Sequence, residues 1–195
     1  GVDISSKPDA LVTGNSSIYK SIECGIRIAR LLGENPTQWE ESRDRVGIAI
    51  RNKPQLFDRT WPSKSRYSMD WFYPILCGVH KKRAAKSLLR AKWKTFVESE
   101  KGCRCVADEP WITAAETSEL TIALASLELK EDAVALLSKN ICHQDWDGGW
   151  WTGHVYLEDI FWPPEKPTWT GAAVILAIDA IEELTDGHRL FKDHL

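Results

Sequence analysis

The sequence predicts an all-α fold, an α/α toroid or an arc of one, and three observations carry that reading. Apolar residues recur at helical spacing in seven separate stretches. Helix starts return at Ser16, Ser68, Thr113 and Thr168, at intervals of 52, 45 and 55 residues, a period that marks stacked helical hairpins. The first helix of each pair is richer in small and apolar residues and the second richer in charge, so the first helices should face inward and the second outward. Three and a half hairpins fit in 195 residues, which is enough chain to bury a core as one domain spanning 1–195.

The first helix is expected from about Ser17 to Leu32, after cap chemistry from Gly14, Asn15 and Ser16 and before the stop at Gly33. Asn35 as N-cap and Pro36 in the first turn open a second helix to about Asn52, apolar through Trp39, Val46 and Ile50. Pro54 and Pro62 bracket a loop, and Ser68 caps a third helix over 68–79 with Pro74 one turn in. A fourth, about Lys82 to Val97, places Lys82, Arg83, Lys86, Arg90 and Lys94 beside Leu88, Leu89, Trp93 and Phe96. Thr113 and Glu116 form a T-x-x-E capping box that starts a fifth helix through about Leu127. A sixth runs from about Glu131 to Ile141. The seventh, Thr170 to Leu184, is apolar nearly all round and is expected to be buried.

Hydrophobic content of 43% with 27% charged residues is ordinary globular usage, but ten tryptophans are not. Five of them, Trp146, Trp150, Trp151, Trp162 and Trp169, lie between His143 and Thr170 in a Gly- and Pro-rich connection. So much aromatic surface in a loop lines a cavity or seals a hairpin junction. Five cysteines at irregular spacing point to reduced thiols in a cytoplasmic protein. Residues 1–100 carry 18 Lys and Arg against 11 Asp and Glu, and the remainder 7 against 17, which gives a basic and an acidic flank. No nucleic-acid reading motif is present and the acidic half repels phosphate, so nucleic acid is excluded as a partner. No run of residues is long and apolar enough to span a membrane, although the basic fourth helix can rest on an anionic membrane surface as a peripheral contact. Gly1 at the head of a polar segment reads as the start of a processed or partial chain.

In a ring of hairpins the inner helices begin at one rim, where their first turns and preceding loops converge. That rim receives Tyr19, then Tyr67, Asp70 and Trp71, then Trp111 and Glu116, then Glu165 and Trp169. Asp70, Glu116 and Glu165 are the candidate catalytic acid and base, because carboxylates meeting in an aromatic cavity have their pKa values pushed apart. The capping box accounts for Glu116 without chemistry, and the helix dipole for Asp70; Glu165, between prolines, has no helical explanation. Tyr67, Trp71, Trp111, Trp151, His154, Trp162 and Trp169 are the candidate ligand-binding residues. Cys103 with Cys105 and Cys142 with His143 lack the C-x-x-C spacing of metal ligands, and Cys77 with His80, a C-x-x-H pair, falls on an expected helix, so no metal and no cofactor is expected.

Gln144, Gly148 and Trp150 make Q-x-x-x-G-x-W, which resembles the tail of the QW repeat of squalene and oxidosqualene cyclases, relatives of the prenyltransferase β-subunits. The wider string SMDWFYPIL, RCVADEPWITAAETSEL, DGGWWTG and FWPPEKPTWTGAAVILAIDA resembles bacterial prenyltransferase-like proteins of the same terpenoid cyclase/prenyltransferase superfamily, over nearly the whole chain. The resemblance implies an α/α toroid, a cavity for an isoprenoid or other apolar ligand, transferase or cyclase-like activity, and a chain that is the C-terminal portion of a longer one. The D-x-D-D and D-D-x-x-D motifs and the Asp, Cys, His zinc set of those enzymes are absent, so no mechanism carries over residue by residue. A cyclase-like reaction would use Asp70 or Glu165 as acid, with Trp111, Trp151 and Trp169 stabilising developing positive charge.

The same architecture serves carbohydrate-active enzymes, glycosidases or lyases, in which paired carboxylates cut the bond while tryptophans stack on sugar faces. Polar groups reaching the cavity favour sugar; a dry aromatic wall favours isoprenoid. A third reading is a non-catalytic helical scaffold whose open arc self-associates or is completed by a missing N-terminal segment.

Overall fold

The structure is a computed structural model that describes residues 9–194. The polar lead-in of residues 1–8, Gly1 included, lies outside the described residues. The described chain is mostly helical, with seven α-helices: α1 (Val12–Leu31), α2 (Thr37–Asn52), α3 (Ser68–Leu76), α4 (Lys82–Phe96), α5 (Ala114–Ser126), α6 (Lys130–Ser138) and α7 (Thr168–Glu182). Five short strands accompany them: β1 (Val97–Glu98) pairs with β2 (Gly102–Cys103), and β3 (Trp111–Thr113), β4 (Gly153–Val155) and β5 (Ile160–Phe161) form an antiparallel sheet in that order. All seven expected helices are present. The strands were expected as loop, because segments of two or three residues carry no alternation long enough to register.

The hairpins stack as the charge pattern predicts. α1, α3, α5 and α7 pack side by side in sequence, and α2, α4 and α6 lie against α1, α3 and α5 respectively. Gly25 brings α2 close to α1, since a Cβ there would sit 2.9 Å from the Trp39 ring. One continuous core joins the later elements, with Phe72 and Ile75 from α3, Leu89 and Phe96 from α4, Leu120 and Leu124 from α5, Leu136 from α6 and Ile181 from α7.

α5 is the central helix, buried along its whole length except for Glu119, which is half-buried. Its composition of Ala, Ser, Thr, Leu and Ile explains why. The small side chains admit neighbours on every side, and the hydroxyls of Thr117, Ser118 and Thr121 donate to carbonyls one turn back at 2.7 to 2.8 Å, so no partner outside the helix is needed. α7, expected to be buried, leaves a face open: Ile175 is 69% exposed, with Leu176 and Ile178 also exposed. Apolarity all round predicts burial only where neighbours exist on every side.

Helix starts differ from expectation in a consistent way. α1 begins at Val12, five residues early, because Asn15 and Ser16 bond back to the carbonyls of Leu11 and Val12 and so continue the helix. Ser68 and Thr168 are first helical residues rather than caps. Thr113 does stand at the cap position of α5, but its side chain makes no cap hydrogen bond, and the expected capping box is not formed.

Replacing Phe72, which has no exposed surface, by alanine leaves a cavity where α3 meets the core. The expected cost is about 3–5 kcal/mol, read as a lowered midpoint in urea denaturation.

Candidate functional site

The first N–H groups of α3 and α5 are satisfied by neighbouring backbone rather than by side-chain caps, and this assembles the rim. Ser68 N at the start of α3 donates to Cys105 O at 2.9 Å, and Ala114 N at the start of α5 donates to Thr152 O at 3.0 Å. Ala107 N reaches Arg66 O at 2.8 Å, Cys105 N reaches Trp111 O at 3.1 Å, and Thr152 N reaches Glu165 O at 3.1 Å. The segments before α3, α5 and α7 are therefore one hydrogen-bonded belt. At the α1 end the carboxylate of Asp9 takes the N–H groups of Arg59 and Thr60, both at 3.0 Å, tying in the loop that leads to α3.

A groove of about 710 Å³ is walled by α1, α3, α5 and α7, with Lys20 and Cys24 from α1, Tyr73 from α3, Glu119 from α5 and Trp169 from α7. Trp169 is 56% exposed at its mouth. Inside, the Tyr73 hydroxyl donates to Glu119 Oε1 at 2.7 Å. Burial pushes the Glu119 carboxyl up to about 7; the nearby Glu116 carboxylate adds to the rise, and the Tyr73 hydrogen bond opposes it. Burial, and then Glu119 itself, raise the Tyr73 phenol, so it remains a donor. Lys20 is buried beside Glu23 at 2.6 Å and also donates to Asp193 O at 3.1 Å. Burial pushes the Cys77 thiol up to about 12 and raises Cys103 and Cys105 as well, which removes thiolate nucleophiles from the neighbourhood. No group of three His, Cys, Asp or Glu arranged to hold a metal occurs among the described residues.

The sequence-predicted residues fall into three groups. Asp70 is half-buried in the first turn of α3, where burial, and to a lesser degree Asp58, raise its carboxyl against the opposing effects of Lys92 and the Thr13 N–H. Glu116, one turn before Glu119, is buried and accepts from Cys105 Sγ at 3.3 Å. Of the sequence-predicted residues Trp169 lines the groove, whereas Asp70 and Glu116 stand one turn before the groove residues Tyr73 and Glu119 on α3 and α5. Trp71 is a core residue: its Nε1 donates to Leu88 O at 2.9 Å and its ring stacks on Phe96 at 5.3 Å. Tyr67 is exposed at the N-cap of α3 with the Arg66 guanidinium over its ring, and Glu165 is exposed on its loop.

The remaining candidates sit on the rim sheet, whose pairing separates them. Ile112, His154 and Phe161 are successive cross-strand partners and share one face, where Trp151 stacks on Phe161 at 5.3 Å. Trp111 belongs to the other face and meets Trp162 edge-on at 5.2 Å, while its Nε1 donates to Trp162 O at 2.9 Å. Gly153 makes room for that indole, since a Cβ there would lie 2.5 Å from both Trp111 Nε1 and Ile112 O.

Sequence reasoning missed Glu119. Its signal is present, because Glu116 and Glu119 are the only charges in α5 and their spacing of three places them on one side of the helix.

No family model matches the chain. Over 184 residues, 94% of this chain, it is 41% identical to the MMP endo-(1,4)-3-O-methyl-alpha-D-mannosidase of Mycolicibacterium hassiacum. The chain spans about half the length of that curated relative, 50%. This similarity overturns the resemblance to prenyltransferase-like proteins and terpenoid cyclases, together with the isoprenoid ligand, the transferase or cyclase activity and the carbocation role for Trp111, Trp151 and Trp169. The local structure supplies the physical reason for the correction. Gln144, Gly148 and Trp150 form a tight turn, with Gln144 bridged to Trp150 and Asp145 N donating to Gly149 O at 2.8 Å, while Lys166 links Asp145 and Asp147 across it. The Gln144 side chain is exposed rather than sealing a helix end. The groove is also not a dry aromatic wall, since Lys20, Glu119 and Tyr73 face it.

A carboxyl raised from 4.5 to about 7 binds more protons folded than unfolded across that window, so its contribution to stability falls as pH rises from about 4.5 to 7 and stays low above it. Glu119→Gln keeps an acceptor for Tyr73 and removes the titration. The variant should gain stability relative to the parent as pH rises through this window in urea melts, with the difference smallest near pH 4.5.

Proposed function

We propose that this chain belongs to a glycoside hydrolase that cleaves within a methylmannose polysaccharide, using the groove between the inner helices. The relative's name supplies the substrate class, and the Glu119–Tyr73 pair supports the chemistry. The reading takes residues 1–195 as one α/α unit and the row of α1, α3, α5 and α7 as an arc of an α/α toroid, with the sugar chain in its concave side.

Glu119 is the general acid. A carboxyl near 7 is largely protonated under mildly acidic to neutral conditions and still transfers its proton readily. Tyr73 holds one oxygen, which leaves the other to carry the proton towards the glycosidic oxygen as the bond to the anomeric carbon breaks. Glu116, one turn earlier on the same side of α5, keeps that proton in place by repulsion. Asp70, on the facing helix α3, is the second carboxyl that acts on the anomeric carbon or on the attacking water, so the pair comes from two inner helices. Trp169 at the mouth offers an indole face for the apolar side of a sugar ring, and the Trp111–Trp162 pair extends that aromatic surface along the rim. Proton transfer is assigned to Glu119 in preference to Glu165, which stays in solvent.

Incubation of the chain with methylmannose polysaccharide, followed by mass spectrometry of the products, should show internal cleavage to shorter oligosaccharides. Glu119→Gln is expected to lower kcat by roughly 10²–10⁴-fold, and Trp169→Ala to act mainly on KM. The rate should fall as pH rises through about 7, where Glu119 loses its proton. Uncleaved polysaccharide, or full activity in Glu119→Gln, overturns this reading.

A further inference from the structure

The rim carries a second pocket that shares no lining residue with the groove. It measures about 300 Å³ and is bounded by Glu100, Lys101, His143, His154, Asp159 and Phe161, with Ile112 and Cys142 completing the wall. The groove is walled by the first helix of each hairpin. This pocket instead lies where the second helices end, with Lys101 in the turn after α4 and His143 in the 3-10 turn after α6 (Lys139–His143).

Its ring groups are packed in place, while Lys101 and Asp159 reach it from solvent. Phe161 is held flat by Trp151 on one side, at 5.3 Å with the rings 14° from parallel, and is flanked by His154 at 5.2 Å. His154 Nε2 meets Asp159 Oδ1 at 3.0 Å, and the Asp159 side chain is otherwise 94% exposed. Asp159 takes a left-handed backbone, φ 56°, to place that carboxylate, a conformation Asp tolerates better than most residues. His143 is 1% exposed, and its buried Nε2 has no hydrogen-bond partner of good geometry. Burial pushes its imidazole down to about 4, outweighing the backbone groups of Asn140 and Ile112 that act the other way, so the ring is neutral at pH 7.

These features select a ligand class. An ion of either sign meets a like charge here, since Lys101 shares the space with the carboxylates of Asp159 and of Glu100, the latter paired with Lys139 at 2.8 Å. A wholly apolar ligand would strip water from Lys101 and Asp159 without replacing it and would leave His143 Nε2 unpartnered. A neutral ring with one apolar face and many hydroxyls satisfies all of them, stacking on Phe161 while its hydroxyls bond to the imidazoles, ammonium and carboxylate. The volume is at the lower end for small-molecule sites and suits one pyranose unit.

We infer that this pocket is a second saccharide-binding site, which holds one sugar unit on the outer half of the rim, apart from the cleavage groove. The inference rests on the hydrolase reading for the identity of the sugar. Its occupant is a unit of the same polymer, so Trp151 and His154 serve binding at this remote site and not the bond cleavage.

The test is an NMR titration of the chain with methyl α-D-mannopyranoside and with its 3-O-methyl ether, following the imidazole Cε1–H signals of His143 and His154 and the indole N–H of Trp169. Saturable shifts of both histidines are expected, unchanged in Glu119→Gln. Affinity at the histidines should be roughly ten-fold weaker in Phe161→Ala, the loss of one stacking contact. Asp159→Asn, at an exposed side chain, should weaken it in the same sense with the fold intact. Shifts confined to Trp169, with both histidines silent, overturn the second site and leave the hydrolase reading standing. Histidine shifts in a chain that cleaves no polysaccharide uphold the site and remove the hydrolase reading. Silence everywhere, with no cleavage, removes both.

Discussion

Helix α5 can begin where it does only because its first N–H is taken by Thr152 O, and α3 because its own is taken by Cys105 O. A buried helix start with no partner for its N–H groups costs free energy comparable to a lost hydrogen bond for each group. The connecting segments at the rim are therefore caps as well as connections. The segments that lead into α5 and α7 are held by the first residues of α3 and α5 respectively, so the belt ties successive hairpins together. The aromatic residues and carboxyls that ride on it, Trp111, Trp162, Asp70 and Glu116 among them, inherit that rigidity without side-chain capping motifs of their own.

The second constraint is the burial of α5. A helix made mostly of Ala, Ser, Thr and Leu lets α3, α6 and α7 approach on all sides, and the inward hydroxyls are satisfied by the helix itself. Asn140 completes the arrangement, its amide donating to Ala114 O and to Ser118 Oγ at 2.9 Å each. In this setting a carboxyl loses water and acquires no cation to replace it. That is why Glu119 holds its proton to about pH 7 while the carboxylates of Asp108 and Asp147, hydrogen-bonded to Arg66 and Lys166, are shifted down.

The helices were legible because their apolar spacing repeats over three or four turns and because charge divides inner from outer partners. Their starts were less legible: Asn15, Ser16 and Ser68 have the chemistry of caps, but their neighbours decide whether that chemistry is used at a cap or inside a helix. The hairpin repeat placed Asp70, Trp111, Glu116 and Trp169 in or just before the first turns of α3, α5 and α7, where the structure also has them. Glu119 did not, since a glutamate in mid-helix is ordinarily a solvated residue, and only the packing around α5 makes it otherwise. The aromatic turn at 144–150 misled for a related reason. A Gln, Gly and Trp at a hairpin junction answer a packing need common to many helical repeats, and the sequence reads as one family where the whole-chain similarity points to another.

The sequence by itself determined the mostly helical class, the seven α-helices and the hairpin repeat, because each rests on local periodicity and residue type. Tertiary structure alone decided which face of each helix loses its water. It placed Trp71 in the core and Trp169 at the groove mouth, left Ile175 of α7 exposed, put His154 and Trp111 on opposite faces of one small sheet, and set Glu119 against Tyr73. Proton affinity and cavity shape depend on desolvation by residues far apart in the chain, and that information exists only once the chain has closed on itself.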